Sequence, residues 1–459
     1  MKKKLLSVML CVILSATMLV GCGTSKKESQ SPEVTKEATV SEAPTKGEDV
    51  VAKDEVKEIV FWHYATDRAD FFKQVALDFE AATGIKVDVQ LYGGDAFSGK
   101  IQASIQGKSL PNVWMFVGGK SDLSAFAESK YIVDMQDKSD LFKKFNDLAF
   151  SQVSFTEADP YNTKSGIYGF PVDMNNMQII YNKKLFEQAG IDTEKPFETW
   201  EEFLEAGKKL EAAKIPAFTS GFGSWTQFSF TEQYQFSYNT IEDLNAMRSG
   251  EITFEKGNLT KVFDLVKDMA DSKMLMSGTA AMDLPAAEAA FANGQVAMLY
   301  DGSWAINVLK GLNAEMNMAD YGVVMPPKGK ESDVYPSIAG GVGAWLVASA
   351  MQSDAEVEAS IKFMDFVTNT ENQVTYANVS SNIPANKDAL GGDDLNPLLE
   401  QFYNGMQYVQ PSAVGYSPAE IGDLYSKAVQ SIVIGDKTPA DAVKELDKKR
   451  AELQKLQAK

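Results

Sequence analysis

The chain has 459 residues, 63 of them acidic against 44 basic, and a formal net charge of −19. So acidic a chain is a poor partner for nucleic acid and suits solubility outside a cell. One histidine, His63, and two cysteines, Cys11 and Cys22, leave little from which to build a Ser-His-Asp triad, a thiol nucleophile or a Cys-based metal site.

Met1-Lys2-Lys3-Lys4 followed by a largely apolar stretch over residues 5–20 reads as a secretory signal rather than a membrane span. It ends in Leu19-Val20-Gly21-Cys22, which resembles the bacterial lipobox. That resemblance implies a signal over residues 1–21 and lipid on Cys22. Cys11 leaves with the signal, so the folded part carries no thiol. Residues 22–58 contain no aromatic residue, Leu or Ile and cannot bury enough apolar surface to fold. They read as a lipidated, disordered tether with a reach of roughly 35 Å. The stretch from residue 59 onward exceeds what one hydrophobic core spans, so two lobes are expected. Nothing after residue 21 is long and apolar enough to cross a membrane.

Residues 59–64 form a strand run, with Asp67 and Arg68 in the loop behind it. Phe71, Phe72, Val75, Phe79 and Ala82 recur at helical spacing, and Gly84 closes that helix. Ile85, Val87, Val89 and Leu91 then alternate with polar residues as in a half-buried strand. This βαβ unit predicts a parallel sheet with a right-handed crossover. A helix over residues 97–105 leads to the apolar run 110–117, and Gly118-Gly119 follows, where backbone can approach a ligand. Thr199-x-x-Glu202 and Ser353-x-x-Glu356 are capping boxes that open helices. Trp225 stands in a Gly-rich loop. A helix over residues 287–292 stops at Asn293-Gly294, a strand covers 296–300, and Asp301-Gly302-Ser303 reads as a turn whose Ser303 caps a helix starting at Trp304. The acidic string 391–396 lacks the spacing of a Ca²⁺ loop and reads as a surface turn. No G-x-S-x-G, P-loop or H-E-x-x-H pattern occurs.

Several of these strings carry a resemblance. F-x-N-G-x-x-A-M-x-x-D-G-S-W, ending at Trp304, is similar to the signature of family 1 extracellular solute-binding proteins, the sugar-type, maltose-binding-protein-like receptors of bacterial ABC importers. F-E-x-x-T-G-I-K-V from Phe79, G-x-P and Y-N-K-x-L-F-x-x-A-G-I between Gly169 and Ile191, T-W-x-E-F from Thr199 and I-P-A at Ile383 follow in the same order. The family shows an Asp where this chain has Asn112, which puts any role for that carboxylate in doubt. The resemblance implies a periplasmic-binding-protein-like fold of two α/β lobes joined by three hinge crossings. Lobe 1 would comprise 59–172 plus 341–384, and lobe 2 would comprise 173–340 plus 385–459. It further implies a monomeric, lipid-anchored receptor on the outer face of the cell membrane. Such a receptor captures a carbohydrate and delivers it to permease subunits, without enzyme activity, cofactor or metal. Sugar recognition sets aromatic faces against the ring, with amides and carboxylates on the hydroxyls. The aromatic candidates are Trp62, Phe116, Trp225, Tyr300 and Trp304; the polar ones are His63, Asp67, Arg68, Asp173, Asn175 and Asp301. Gly340 and Gly341 supply unusual φ angles at a crossing. Two alternatives stay open: a receptor for a polyamine or organic anion, and a cell-surface glycosidase, which needs only two placed carboxylates.

Overall fold

A computed structural model describes residues 56–389, 397–410, 415–418 and 420–457. The signal, Cys22, the tether up to residue 55 and the acidic string 391–396 lie outside them. Glu58, read as the end of the tether, is instead the first residue of a strand and pairs with Lys86.

Nine strands form one sheet. They are β1 (Glu58–His63), β2 (Lys86–Leu91), β3 (Val113–Met115), β4 (Phe170–Asn182), β5 (Phe218–Thr219), β6 (Met298–Gly302), β7 (Tyr321–Val324), β8 (Gly340–Ala348) and β9 (Ile383–Pro384). Their order is β2-β1-β3-β8-β4-β6-β5, with β7 and β9 also pairing with β4. The helices that matter below are α1 (Ala69–Thr83), α2 (Trp200–Ala212), α3 (Thr226–Gln235), α4 (Leu284–Ala292), α5 (Ala305–Leu312), α6 (Asp354–Thr368) and α7 (Thr370–Ser380).

The βαβ expectation holds locally. β1 pairs parallel with β2 and β3, and α1 buries Phe71, Phe72, Val75 and Phe79 before Gly84 ends it at φ 75°. The sheet as a whole is mixed, because β4 and β8 run antiparallel to each other and to their other neighbours. β4 belongs to both halves of the sheet. Its first half pairs with β8 and β9, its second half with β6 and β7. Covered on both faces, it reads as a nearly continuous buried run in which only Asn175 is partly exposed. Phe61, Phe72, Phe79 and Phe363 pack beneath β1, while Trp200, Phe203, Phe218, Phe230 and Tyr300 pack beneath β5 and β6. Burying each such ring contributes about 1.5–3 kcal/mol.

Both capping boxes form. Thr199 Oγ1 accepts from Glu202 N–H and Ser353 Oγ from Glu356 N–H, with each glutamate reaching back to the N-cap amide. Asn112 is structural: its side-chain oxygen accepts from Val60 N–H at 2.8 Å, tying β1 to the start of β3. No helix among the described residues is long and apolar enough to cross a membrane.

The end of β6 differs from the sequence reading. Asp301 and Gly302 are not a turn; they pair with Gln178 and Met177 of β4, which carries the strand two residues further. Nor does Ser303 cap α5. The helix starts from Trp304, already at helical φ and ψ, and Ser303 Oγ is buried without a partner.

Candidate functional site

The elements converge around residues 173–177 of β4. Val342 and Ala344 of β8 lie on one edge of Met174 and Asp173, and Ile383 and Pro384 of β9 on the other. Two residues on, Gly340 and Gly341 flank Asn176 and Asn175, while Ser303 N–H donates to Asn176 O at 3.1 Å across the opposite edge. Neighbouring strands are about 5 Å apart, so the end of β6, the Gly340-Gly341 backbone and Asn175 share one short stretch of sheet. Gly341 has φ 142°, a conformation that other side chains avoid, and residues 340–343 of β8 are exposed or half-buried.

Two indoles overhang the end of β6. Trp304 is half-buried and packs against both core clusters, lying so close over Gly302 that a Cβ there would overlap its ring. Trp225 is 49% exposed, with its ring centroid 6.1 Å from that of Trp304 at an interplanar angle of 46°. The loop that carries Trp225 is tied down by Ser220, whose hydroxyl bonds to Thr226 Oγ1 at 3.0 Å and to Tyr300 O at 2.9 Å. An exposed tryptophan held this way presents a flat apolar face to solvent.

The polar candidates bond mostly to one another. Arg68 Nη1 donates to Asp173 Oδ2 and to the Tyr376 hydroxyl, which also bonds to Asp173, and Arg68 Nε is 3.1 Å from Asp67. Asp173 is fully buried, and Tyr376 reaches the cluster from α7. Burial opposes the Arg68 charge, but Tyr376, Asp173 and Asp67 together hold its pKa well above the usual value. Burial also pushes the Asp173 carboxyl up, against the pull of Arg68 and the Tyr376 hydroxyl. Arginine keeps its proton in proteins, so the guanidinium sets the charge of this cluster. The second oxygen of Asp173 lacks a partner and, with Asn175, crowds the position where Gly343 would carry a Cβ. Asn307 of α5 donates to Asp67 O at 3.3 Å, joining the loop behind β1 to the helix behind Trp304.

Five candidates are packed in the core instead of facing a cleft. Trp62 is 8% exposed, and Lys100 Nζ covers one face at 4.1 Å. Phe116 is 3% exposed and wedged against Trp345 and Phe126. Tyr300 is fully buried edge-on to Phe230. His63 stacks on Phe61 and lies against Phe72; burial lowers its pKa to about 4, so it is neutral. Asp301 is fully buried and accepts from Gly302 N–H at 2.7 Å. Trp62, His63, Tyr300 and Asp301 sit on strands and Phe116 directly follows one, and a strand-end position in sequence does not reveal which face a side chain takes. Sequence reasoning missed Tyr376 and Asn307. Each lies in an unremarkable helical string, and only the fold brings it to the cluster. Among the described residues no group of three His, Cys, Asp or Glu could hold a metal ion.

Comparison with known proteins follows from this geometry. The sequence model of the family described as bacterial extracellular solute-binding protein matches residues 74–398. The sn-glycerol-3-phosphate-binding periplasmic protein UgpB of Brucella abortus (strain 2308) is 28% identical over 220 residues, 47% of this chain and 48% of that relative. The chain thus spans about half the length of that relative. A maltooligosaccharide ABC transporter solute-binding lipoprotein of Streptococcus pneumoniae (strain R6) is 25% identical over 417 residues, 86% of this chain and 84% of that one. Among solved structures, maltose-bound MalE3 of T. maritima superposes with a TM-score of 0.72 at 18% identity, covering 86% of this chain and 99% of that chain. The GacH receptor of Streptomyces glaucescens, solved unliganded and with acarbose, gives 0.71 at 17% identity, covering 87% and 99%. These structures share the fold of this chain, two α/β lobes joined along strands that cross between them. With most of its length matched by that sequence model, the chain belongs to the family of bacterial extracellular solute-binding proteins.

Proposed function

We propose that the protein is the receptor of an ABC importer and captures a carbohydrate, such as an oligosaccharide, between lobe 1 (59–172 plus 341–384) and lobe 2 (173–340 plus 385–459) for delivery to permease subunits. The observation that carries this reading is the half-exposed Trp225 tilted against Trp304 above the end of β6, beside Asn175 and the open backbone of Gly340 and Gly341. Stacked faces with a few amides and backbone groups suit a neutral, hydroxyl-rich ring. Names among the relatives and structures, maltooligosaccharide, maltose and acarbose, support it. An anionic ligand such as glycerol phosphate fits less well, because Arg68, the cation beside the crossing, is already engaged by Asp67, Asp173 and Tyr376.

A thermal-shift panel of maltotriose, xylotriose, cellotriose, glycerol 3-phosphate and spermidine tests this. A ligand that binds only the folded state adds RT ln(1 + [L]/Kd), about 2.7 kcal/mol at a hundredfold excess over Kd. One of the sugars is expected to raise the midpoint, and the same sugar at saturation should shrink the radius of gyration in solution scattering as the lobes close about β4, β8 and β9. Stabilisation by glycerol 3-phosphate or spermidine alone would overturn the sugar reading, and sugar cleavage would make the protein a glycosidase.

We also propose that Cys22 carries lipid and holds the receptor on the outer face of the cytoplasmic membrane, on the strength of the lipobox. Two acyl chains anchor stably where one does not. Cys22→Ala should move the protein from the membrane to the soluble fraction; a variant that stays with the membrane as tightly as wild type rules the anchor out.

A further inference from the structure

Behind Asn175 two buried amides fasten a helix to the crossing strand. The helix is α8 (Pro397–Gly405), and the amides are those of Asn176, fully buried, and Gln178, 2% exposed. They lie two residues apart and so share one face of β4. Asn176 Nδ2 donates to Phe402 O at 2.7 Å. Gln178 Nε2 donates to the same carbonyl at 3.2 Å and to Asn176 Oδ1 at 2.9 Å. Phe402 is in the last turn of α8, where carbonyls lack helical partners and carry partial negative charge. Side-chain N–H groups suit such carbonyls. Gly405 completes the clasp, because a Cβ there would overlap Gln178 Nε2.

The same segment reaches the strands on either side. Gln401 Oε1 accepts from Val323 N–H of β7 at 2.6 Å. Past the end of α8, Met406 Sδ accepts from Asn176 Nδ2 at 3.0 Å, and Tyr408 O accepts from Ile338 N–H at 3.0 Å, two residues before β8 begins. The two crossing strands also meet directly. Met177 N–H donates to Ala339 O at 2.8 Å, and Gly340 leaves no room for a Cβ against Asn175 O.

We propose that Gln178 and Asn176 are positioning residues for the ligand site: their clasp on α8 makes residues 175–178 and 338–341 one rigid base, from which Asn175 and the backbone of Gly340 and Gly341 meet the ligand. The proposal rests on those residues lining the cleft, the reading given above. Strand alternation carries the effect. With Asn176 and Gln178 fixed on one face of β4, Asn175 is turned to the other, where its amide lies over Gly343 of β8. A contact residue holds a ligand well only when the groups behind it fix its geometry to a fraction of an ångström.

The test uses the full chain and two substitutions. Gln178→Leu keeps the bulk of the side chain and removes the amide. Gly405→Ala puts a methyl group where that amide lies, and serves alone if Gln178→Leu does not fold. Each should weaken maltotriose binding about tenfold, measured in the folded protein well below its melting midpoint. A residue that only stabilises the fold would lower the midpoint and leave that affinity unchanged. If glycerol 3-phosphate is the ligand instead, the same loss should appear with it. A ligand-free arm follows amide hydrogen exchange. Either variant should speed exchange at Met177 and Ile338 about tenfold and leave the amides that join β1 to β2 at the wild-type rate. Faster exchange at those two amides, with no maltotriose binding by wild type, supports the clasp and counts against the sugar reading alone. Wild-type affinity in both variants, or exchange that is unchanged or rises equally everywhere, overturns the proposal.

Discussion

Asp173→Ala is expected to cost the fold about 3 kcal/mol, the lower end of the range for breaking a buried ion pair. At roughly 2 °C per kcal/mol for a domain of this size, that lowers the melting midpoint by about 6 °C. The cause is Arg68, which is 13% exposed and would be left with only Asp67 against its charge. Removing the other partner should cost less. In Arg68→Met the orphan is a carboxyl that burial already pushes up, and it can take a proton where a guanidinium cannot shed one. Its folded pKa would then stand above the ordinary aspartate value of 3.8, so this variant should be more stable at pH 5 than at pH 8. Calorimetry of the two variants at those pH values decides the matter. If Asp173→Ala melts with wild type and loses only ligand, Asp173 is a ligand contact and the cluster is not structural.

Trp225→Ala is expected to lower ligand affinity at least roughly tenfold, about 1.4 kcal/mol, and to leave ligand-free melting unchanged. Its ring is 49% exposed and has little packing to lose. Trp304→Ala should lower both affinity and stability, the latter by about 2–3 kcal/mol, because that ring packs on both core clusters and covers Gly302. Titrating maltotriose, or whichever sugar the thermal panel selects, into both variants separates the roles. Wild-type affinity in Trp225→Ala would remove it from the platform.

Most of the scaffold was legible in the sequence because local chemistry fixed it. The helical spacing of Phe71, Phe72, Val75 and Phe79, the stop at Gly84 and the two capping boxes each dictate backbone within a few residues, and each appears as expected. Direction of pairing was not local. The alternating run 85–91 announces a strand, but nothing in it says that β8 will return antiparallel between β3 and β4. In the candidate site, exposure was legible where it follows from a loop, as at Trp225, and illegible where a strand decides which face a ring occupies. Trp62 and Phe116 have the right residue type at the right strand ends, yet both point into covered layers. Tyr376 was illegible for another reason: it lies two hundred or more residues from its partner Asp173, in a helix whose polar and apolar residues show no clear face.

β8 gives the sheet order a consequence for the order of folding. It is made after most of the chain, yet it lies in the middle of the sheet, between β3 and β4. Until residue 348 exists, β3 and the first half of β4 each offer an unpaired edge, and the aromatic layer around Trp345 and Phe116 lacks one wall. Closing so long a loop before its contacts form is slow. A chain growing from its amino end would therefore stay unfinished, with open edges that invite other strands, until β8 arrives and both halves of the sheet lock together.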